Sequence, residues 1–341
     1  MKVSKGMILK DDIYSKSGIL LLKKGTMLTS HYAEWLDKHQ SQIIYRSELE
    51  QLQSKQNWTL NETIYKNVFS SIQDLQQNIG KKNTLEDHEI HEMMTEFDAL
   101  YQDFVEKDIE ILDIMANFSQ DEYLFKHSIN VGLVASKIGS IINLPETDQH
   151  MLARMGLFHD VGKFKIDPFI LNKPSRLTDE EFELIKQHPT LGYDLLVSTS
   201  LSLDILEGVL KHHERLNGSG YPNRFTGEQL PLFVRILSVA DTFDAICSVR
   251  VYKQPRTIFF AIEELIKDVN AKRLDESIVL PFTYYLMSLS KGMQISLRNG
   301  KMAEIMEVEP NYPNQPILRI EGFQPLNLIK ENLTLLQVAN L

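Results

Sequence analysis

The amino-acid sequence predicts a mainly α fold flanked by small β-rich pieces. Three observations predict it: helical hydrophobic spacing from Asn61 to about Val269, turn-bounded apolar runs before it, and period-two alternation around Asn299-Gly300 after it. At 341 residues the chain is too long for one ordinary core. The expected division is a β-rich N-terminal module over 1–50, linking or packing helices over 51–118, a helical domain over 119–280 and a C-terminal β-hairpin extension over 281–341.

In chain order, Ser15-Lys16-Ser17-Gly18 is a turn signal, the apolar run Ile19 to Leu22 follows, and Lys24-Gly25 turns again. A short helix is expected from about Ser30 to Lys38. Ile64, Val68, Ile72 and Leu75 share one helical face, broken at Gly80 and the polar stretch KKNTLEDHE. Ile90, Met94, Phe97, Tyr101, Phe104, Ile111 and Met115 continue as a second, longer helix. These two helices carry more apolar surface than a bare linker, so they are expected to pack on the helical body rather than to form a dimer seam. Helical spacing then dominates from Gln120 to about Val269. Beyond Leu280, Ile295 and Leu297 alternate up to the hairpin signal Asn299-Gly300, Met306 and Val308 alternate after it, and Pro316 to Ile320 reads as a third strand.

Apolar residues make up 43% and charged residues 24%, the balance of a soluble globular protein. No run approaches the ~18–20 apolar residues of a membrane span, and MKVSKGMILKDDIY lacks the apolar stretch of a secretory signal, so a cytoplasmic protein is expected. The only cysteine, Cys247, excludes an intrachain disulfide or thiolate cluster and is expected to be a small core residue. A formal net charge of −10 argues against long nucleic acid as a partner. A small phosphate-bearing substrate held by metals and a few local cations is still allowed.

The ten histidines are unevenly spread, with His127, His159, His188, His212 and His213 in the central helical block. His159-Asp160 closes the apolar segment MLARMGLFHD, His212-His213 follows ILEGVLK, and Asp241 lies inside ILSVADTFDAI. Polar side chains stand there where helices should bury apolar ones, and metal coordination would offset their desolvation. Imidazole with carboxylate suits iron, manganese, zinc or nickel, and a shared aspartate can bridge two ions. His88 and His91 sit among Glu86, Asp87, Glu89 and Glu92 and read as a solvated helix end. His31, His39 and His150 offer no evident partner.

Through HDVGK at 159–163, HPTLG at 188–192, HHERLNGSGYP at 212–222 and ADTFDAICSVRVYK at 240–253, residues of about 120 to 270 resemble the HD-GYP phosphodiesterases. The resemblance implies an HD-type helical bundle over 119–280 with catalytic activity on cyclic di-GMP, yielding pGpG and, by a second cut, GMP. Carried over by motif, it makes His127, His159, Asp160 and Asp241 ligands of one ion. Asp160, bridging, with His188, His212 and His213 would hold the other. The family's three-metal members carry a glutamate four residues before the first histidine; here Tyr123 stands there with Glu122 beside it, so two divalent ions, iron or manganese, are expected rather than three.

Two divalent cations ~3.5–4 Å apart can hold a bridging hydroxide and neutralise a phosphate as charge builds on it, with Asp160 at the centre of the chemistry. Lys163, four residues after His159, is read on the same helical face, where it can reach the phosphate or protonate the leaving oxygen. The resemblance gives Lys163, Arg250, Lys253 and Tyr221 to substrate binding; spacing alone also fits Arg250 and Lys253 as solvated surface cations and Tyr221 as a residue packed under its own loop. Gly218, Gly220 and Pro222 mark a rigid turn, and Asn217 stands where the family usually carries aspartate. Asp244, three residues after Asp241, is placed to orient a ligand histidine from behind. The resemblance also implies protein contacts at the GYP loop, notably with domains that make cyclic di-GMP, and a homodimer is a further expectation. Two other readings stay open: a catalytically idle cyclic-dinucleotide sensor, and a phosphodiesterase for another cyclic dinucleotide such as cyclic GMP-AMP.

Overall fold

The structure is a computed structural model that describes residues 6–10, 13–15, 20–22, 24–25, 27–28, 43–45, 60–111, 114, 123–173, 175–248 and 257–339. The chain divides into two compact units, one of Trp58–Pro255 with Leu265–Val279, the other of Met1–Asn57, Arg256–Glu264 and Leu280–Leu341. No helix among the described residues is long and apolar enough to cross a membrane.

The first unit is helical. Helix α1 (Glu62–Lys82) opens at Asn61, whose Oδ1 accepts from the amides of Thr63 (3.0 Å) and Ile64 (3.4 Å). Tyr65, Val68, Ile72, Leu75 and Ile79 form its buried stripe. The helix runs past Gly80 and stops at Asn83, whose φ of 61° ends it in the left-handed region. Helix α2 (Asp87–Glu106) starts with a reciprocal cap between Glu86 and Glu89 and buries Ile90, Met93, Phe97, Leu100, Tyr101 and Phe104. It is shorter than its apolar pattern implies, because the chain turns at Lys107 and Asp108; Met115 lies outside the described residues.

Both helices pack on the body of the unit. Asp98 of α2 takes hydrogen bonds from Arg154 Nε (3.0 Å) and His150 Nε2 (2.7 Å), and the Tyr101 ring stacks on His150 at 4.7 Å. His150 therefore has partners that its sequence neighbourhood does not reveal. Burial pushes the Asp98 carboxyl up, but the bonds from Arg154 and His150 outweigh it and hold the group below its ordinary value. A depressed carboxyl stabilises the fold above its unfolded pKa, and that contribution is lost as pH falls through the folded value. Asp98→Asn is thus expected to lower the melting temperature at pH 7 by roughly 2–4 °C for about 1 kcal/mol, with the gap from wild type closing below pH ~4. Thermal melts of both proteins across that range check it.

The centre of the unit is α3 (Tyr123–Ile141), buried from Phe125 to Gly139 except at Lys137, as expected for a helix whose whole circumference is covered. Helices α4 (Glu146–Phe158) and α9 (Leu232–Cys247) pack against it. Between them the chain forms a 3-10 turn (Val161–Lys165), α5 (Pro168–Leu171), α6 (Asp179–Ile185), α7 (His188–Leu196) and α8 (Leu203–Lys211). Cys247 ends α9 half-buried rather than in the core. Helices α10 (Ile258–Asn270) and α11 (Glu276–Ser288) follow.

The second unit carries two antiparallel sheets. Strands β1 (Ile13–Ser15), β2 (Leu20–Leu22) and β3 (Ile43–Tyr45) order as β2-β1-β3, and the helix expected near Ser30 to Lys38 lies outside the described residues. Strands β4 (Gln294–Ser296), β5 (Met302–Glu309), β6 (Tyr312–Ile320) and β7 (Leu326–Asn327) form the other in sequence order, extending the expected hairpin and third strand by a fourth. On β5, Ala303 and Ile305 face inward, then register shifts after Ile305 bring Val308 inward instead of the next odd residue. Simple alternation through Met306 misses this change of phase. The terminal helix α12 (Leu335–Val338) leads to Ala339, bridged to Leu297.

Candidate metal centre

Five helices and their ends deliver the expected residues to one buried point. His127 comes from the first turns of α3, His159 and Asp160 from the end of α4, His188 from the start of α7, His212 and His213 from the end of α8, and Asp241 and Asp244 from α9. His127, His159, Asp160, His188, His212, Asp241 and Asp244 are buried, while His213 keeps 18% of its side chain exposed. Neighbouring imidazole rings lie 4.2 to 5.2 Å apart between centroids, from His127–His159 through His212–His213.

The Asp160 carboxylate stands between two groups of histidines. Its Oδ2 is 3.4 Å from His127 Nε2 and 3.2 Å from His159 Nε2, and its Oδ1 is 3.2 Å from His188 Nε2 and 3.7 Å from His212 Nε2. Asp241 closes the arrangement, with Oδ1 at 3.2 Å from His127 Nε2 and Oδ2 at 3.6 Å from His213 Nδ1.

The far side of each buried ring is already committed. Nδ1 of His159 donates to Gly156 O (2.7 Å), that of His188 to Ile185 O (2.7 Å) and that of His212 to Val209 O (3.0 Å), while His127 Nδ1 meets Asp244 Oδ2 at 2.6 Å. A carbonyl can only accept, so these rings carry their proton on Nδ1 and turn the Nε2 lone pair inward. His188 Nε2 and His212 Nε2 then face each other across 3.1 Å. Two lone pairs so close are repulsive unless a cation lies against them. His159 Nε2 and Asp160 Oδ1 are likewise buried without a hydrogen-bond partner. Two groups could hold an ion, one of His127, His159 and Asp160 and one of Asp160, His188, His212 and His213. The donor set fits divalent transition metals, and His127, His159, His188 and His212 are each braced from behind as metal-binding histidines are.

The electrostatics agree. Burial raises the Asp160 carboxyl, but neighbouring His159 and Lys163 outweigh it and hold the group well below its usual value. Burial likewise raises Asp241, and its bond with His127 more than offsets this. His127 is pushed up to about 9 against the pull of burial, because Asp241 and Asp244 both favour its charged form. His212 is lowered to about 4, chiefly by burial, and burial also lowers His188 and His213, leaving neutral imidazoles ready to coordinate.

The α4 helix stops at His159 and Lys163 sits in the 3-10 turn, so the two do not share a helical face; Lys163 Nζ instead pairs with Asp160 Oδ2. Tyr221 stacks one ring face on His213 at 4.6 Å, and Lys186 Nζ stands 5.9 Å from the same ring. Gly220 lies against the backbone of the His213-Glu214 segment: a Cβ there would come within 2.4 Å of Glu214 Cα and 2.5 Å of His213 O. Arg250, Lys253 and Glu122 lie outside the described residues.

Sequence reasoning does not single out three residues of the site: Asn130, Lys186 and Glu214. Asn130 follows His127 by three, as Asp244 follows Asp241, and that matching spacing is the available signal. Glu214, 1% exposed, accepts from the amides of Asn223 (2.7 Å) and Phe225 (3.1 Å) and so fastens the GYP loop; burial is the main cause that raises its carboxyl pKa. Glu214→Ala strands both amides and is expected to cost about 2–3 kcal/mol. Thermal melting and faster proteolytic cleavage within 217–226 would report it.

Residues 113–278 match the HD domain family model. The chain is 35% identical over 189 residues to a cyclic di-GMP phosphodiesterase of Thermotoga maritima, covering 55% of this chain and 51% of that protein. It is 41% identical over 146 residues to the cyclic di-GMP phosphodiesterase response regulator RpfG of Xanthomonas campestris, covering 42% and 37%. A 3'3'-cGAMP-specific phosphodiesterase 2 of Vibrio cholerae is 35% identical over 142 residues, covering 41% and 27%. The chain thus spans about half or less of the length of these relatives. In fold it is similar to an HDG"Y"P protein from Bdellovibrio bacteriovorus, with a TM-score of 0.51 at 14% identity, covering 84% of this chain and 97% of that one. Over residues 113–278 the chain is thus similar to HD domain proteins, and in sequence it is similar to the cyclic-dinucleotide phosphodiesterases named above.

Proposed function

We propose that the chain is a metal-dependent phosphodiesterase that linearises cyclic di-GMP to pGpG and, by a second cut, yields GMP. One observation carries the reading: buried imidazole nitrogens with committed Nδ1 protons converge, 3.1 Å apart, on a carboxylate whose two oxygens face different histidine groups. In this reading His127, His159, Asp160 and Asp241 hold one ion, and Asp160 with His188, His212 and His213 holds the other. Imidazole with carboxylate is compatible with iron or manganese, which the family resemblance favours, and Tyr123 where three-metal members carry glutamate favours two ions over three. When bound, such ions would supply a nucleophile at neutral pH and neutralise charge on the phosphate.

The chain's own residues do the rest. Lys163, beside Asp160, exchanges that partner for a phosphate oxygen and can pass a proton to the departing 3′ oxygen. Tyr221, with one face on His213, offers its edge and hydroxyl to the nucleotide and braces that ligand. Arg250 and Lys253 are proposed as further phosphate contacts. The exposed residues Asn217, Ser219, Asn223 and Arg224 make the GYP loop the proposed docking surface for domains that synthesise cyclic di-GMP.

A second substrate, cyclic GMP-AMP, is favoured by the Vibrio cholerae relative named for it. Purification without air, metal analysis and parallel hydrolysis assays separate the readings. About two transition-metal ions per chain, with hydrolysis of cyclic di-GMP abolished by a chelator and restored by iron or manganese, is the expected result. Faster turnover of the mixed dinucleotide moves the substrate assignment. Metal and nucleotide binding without turnover leaves a sensor.

A further inference from the structure

His127 differs from the other buried histidines in what holds it. His159, His188 and His212 each give Nδ1 to a neutral backbone carbonyl, whereas His127 gives it to the Asp244 carboxylate at 2.6 Å. His127 is therefore spanned by two aspartates of one helix, Asp241 at Nε2 and Asp244 at Nδ1, three residues apart on α9. Asp244 is fully buried and is itself fixed: Asn130 Nδ2 donates to its Oδ1 at 2.9 Å, and Ser248 Oγ donates to its Oδ2 at 2.9 Å. Asn130, 1% exposed, lies one turn along α3 from His127, so the pair His127 and Asn130 faces the pair Asp241 and Asp244 across the crossing of α3 and α9. An ionised partner makes a stronger hydrogen bond than a carbonyl and renders the imidazole a better donor to a cation. The two metal-binding groups also differ in charge. Asp241 sets Oδ1 3.2 Å from His127 Nε2 and only its more distant Oδ2, at 3.6 Å, toward His213 Nδ1 of the opposite group, which otherwise adds imidazoles to the shared Asp160.

We propose that Asn130, acting through Asp244, is a positioning residue that makes the two metal positions unequal, so that the His127 position fills first. This rests on the two-metal reading above. Asn130 touches no metal-facing atom; it stops the Asp244 carboxylate from rotating away from His127, and so keeps Nε2 of that ring as the ligand atom.

The test is titration of metal-free full-length protein with Mn²⁺, with free Mn²⁺ followed by its electron paramagnetic resonance signal. Wild type is expected to bind in two steps separated by about tenfold or more. His188→Ala should remove the weaker step alone, which assigns the stronger one to His127. Asn130→Ala should then weaken the stronger step by about 10–100-fold and leave the weaker one in place. If Asn130→Ala does not give folded metal-free protein, judged by circular dichroism, Ser248→Ala removes another donor to the same carboxylate and is read in the same way. Two equal steps in wild type, an Asn130→Ala titration that matches wild type, or equal weakening of both steps overturns the proposal. Failure of wild type to bind a second ion at all would instead overturn the two-metal reading on which it rests.

Discussion

Asp160→Ala is expected to empty the site and reduce hydrolysis by about a thousandfold or more, since several kcal/mol of metal-derived stabilisation disappear with it. The reason is positional. Asp160 gives Oδ1 to the His188 and His212 side and Oδ2 to the His127 and His159 side, so one substitution takes a ligand from both groups at once. It also leaves His188 Nε2 and His212 Nε2 converging without the anion that a cation there would need. Elemental analysis and a hydrolysis assay on the same sample check both halves. Retention of two ions per chain with full turnover would move the centre of the chemistry elsewhere.

Gly162→Ala is expected to damage the site without replacing any of its metal-facing side chains. A Cβ at Gly162 would stand 2.0 Å from His188 O and 2.5 Å from Gly192 N, and both are backbone atoms that cannot rotate aside. The 3-10 turn and α7 must therefore separate, and His188 travels with α7. Overpacking of this kind costs about 1–3 kcal/mol, or a fall in melting temperature of roughly 5–10 °C at its upper end. The ion held with His188 and His212 should be lost before the ion on the His127 side. A calorimetric melt with metal analysis reads both, and an unchanged melt with full metal content would show that the contact relaxes freely.

The chemistry is more legible in the sequence than the scaffold is. Paired motifs such as His159-Asp160 and His212-His213 announce themselves, because polar residues closing apolar segments are costly to bury unless something binds them. Helix faces are also readable: Val68, Ile72 and Leu75 are buried as their spacing implies. What stays hidden is nonlocal or a matter of termination. Nothing near His150 points to Asp98, which lies 52 residues away. Lys163 reads as helical because its spacing from His159 is that of a helix, yet the turn that ends α4 rotates it onto Asp160. The change of phase on β5 arises from pairing with β6, which no single strand can reveal. Asn130 escapes notice because its amide acts through Asp244, 114 residues away.

The carbonyls that receive His159, His188 and His212 belong to the closing turns of α4, α6 and α8, where a helix leaves its last four oxygens unanswered. Finishing each helix and aiming each ligand are thus one event, completed when the backbone folds. The side-chain freedom that a metal would otherwise have to freeze is spent beforehand, in contrast to small zinc domains that collapse only around their ion. A chain made where metal is scarce would wait as an assembled socket, able to lose and regain its ions without being refolded.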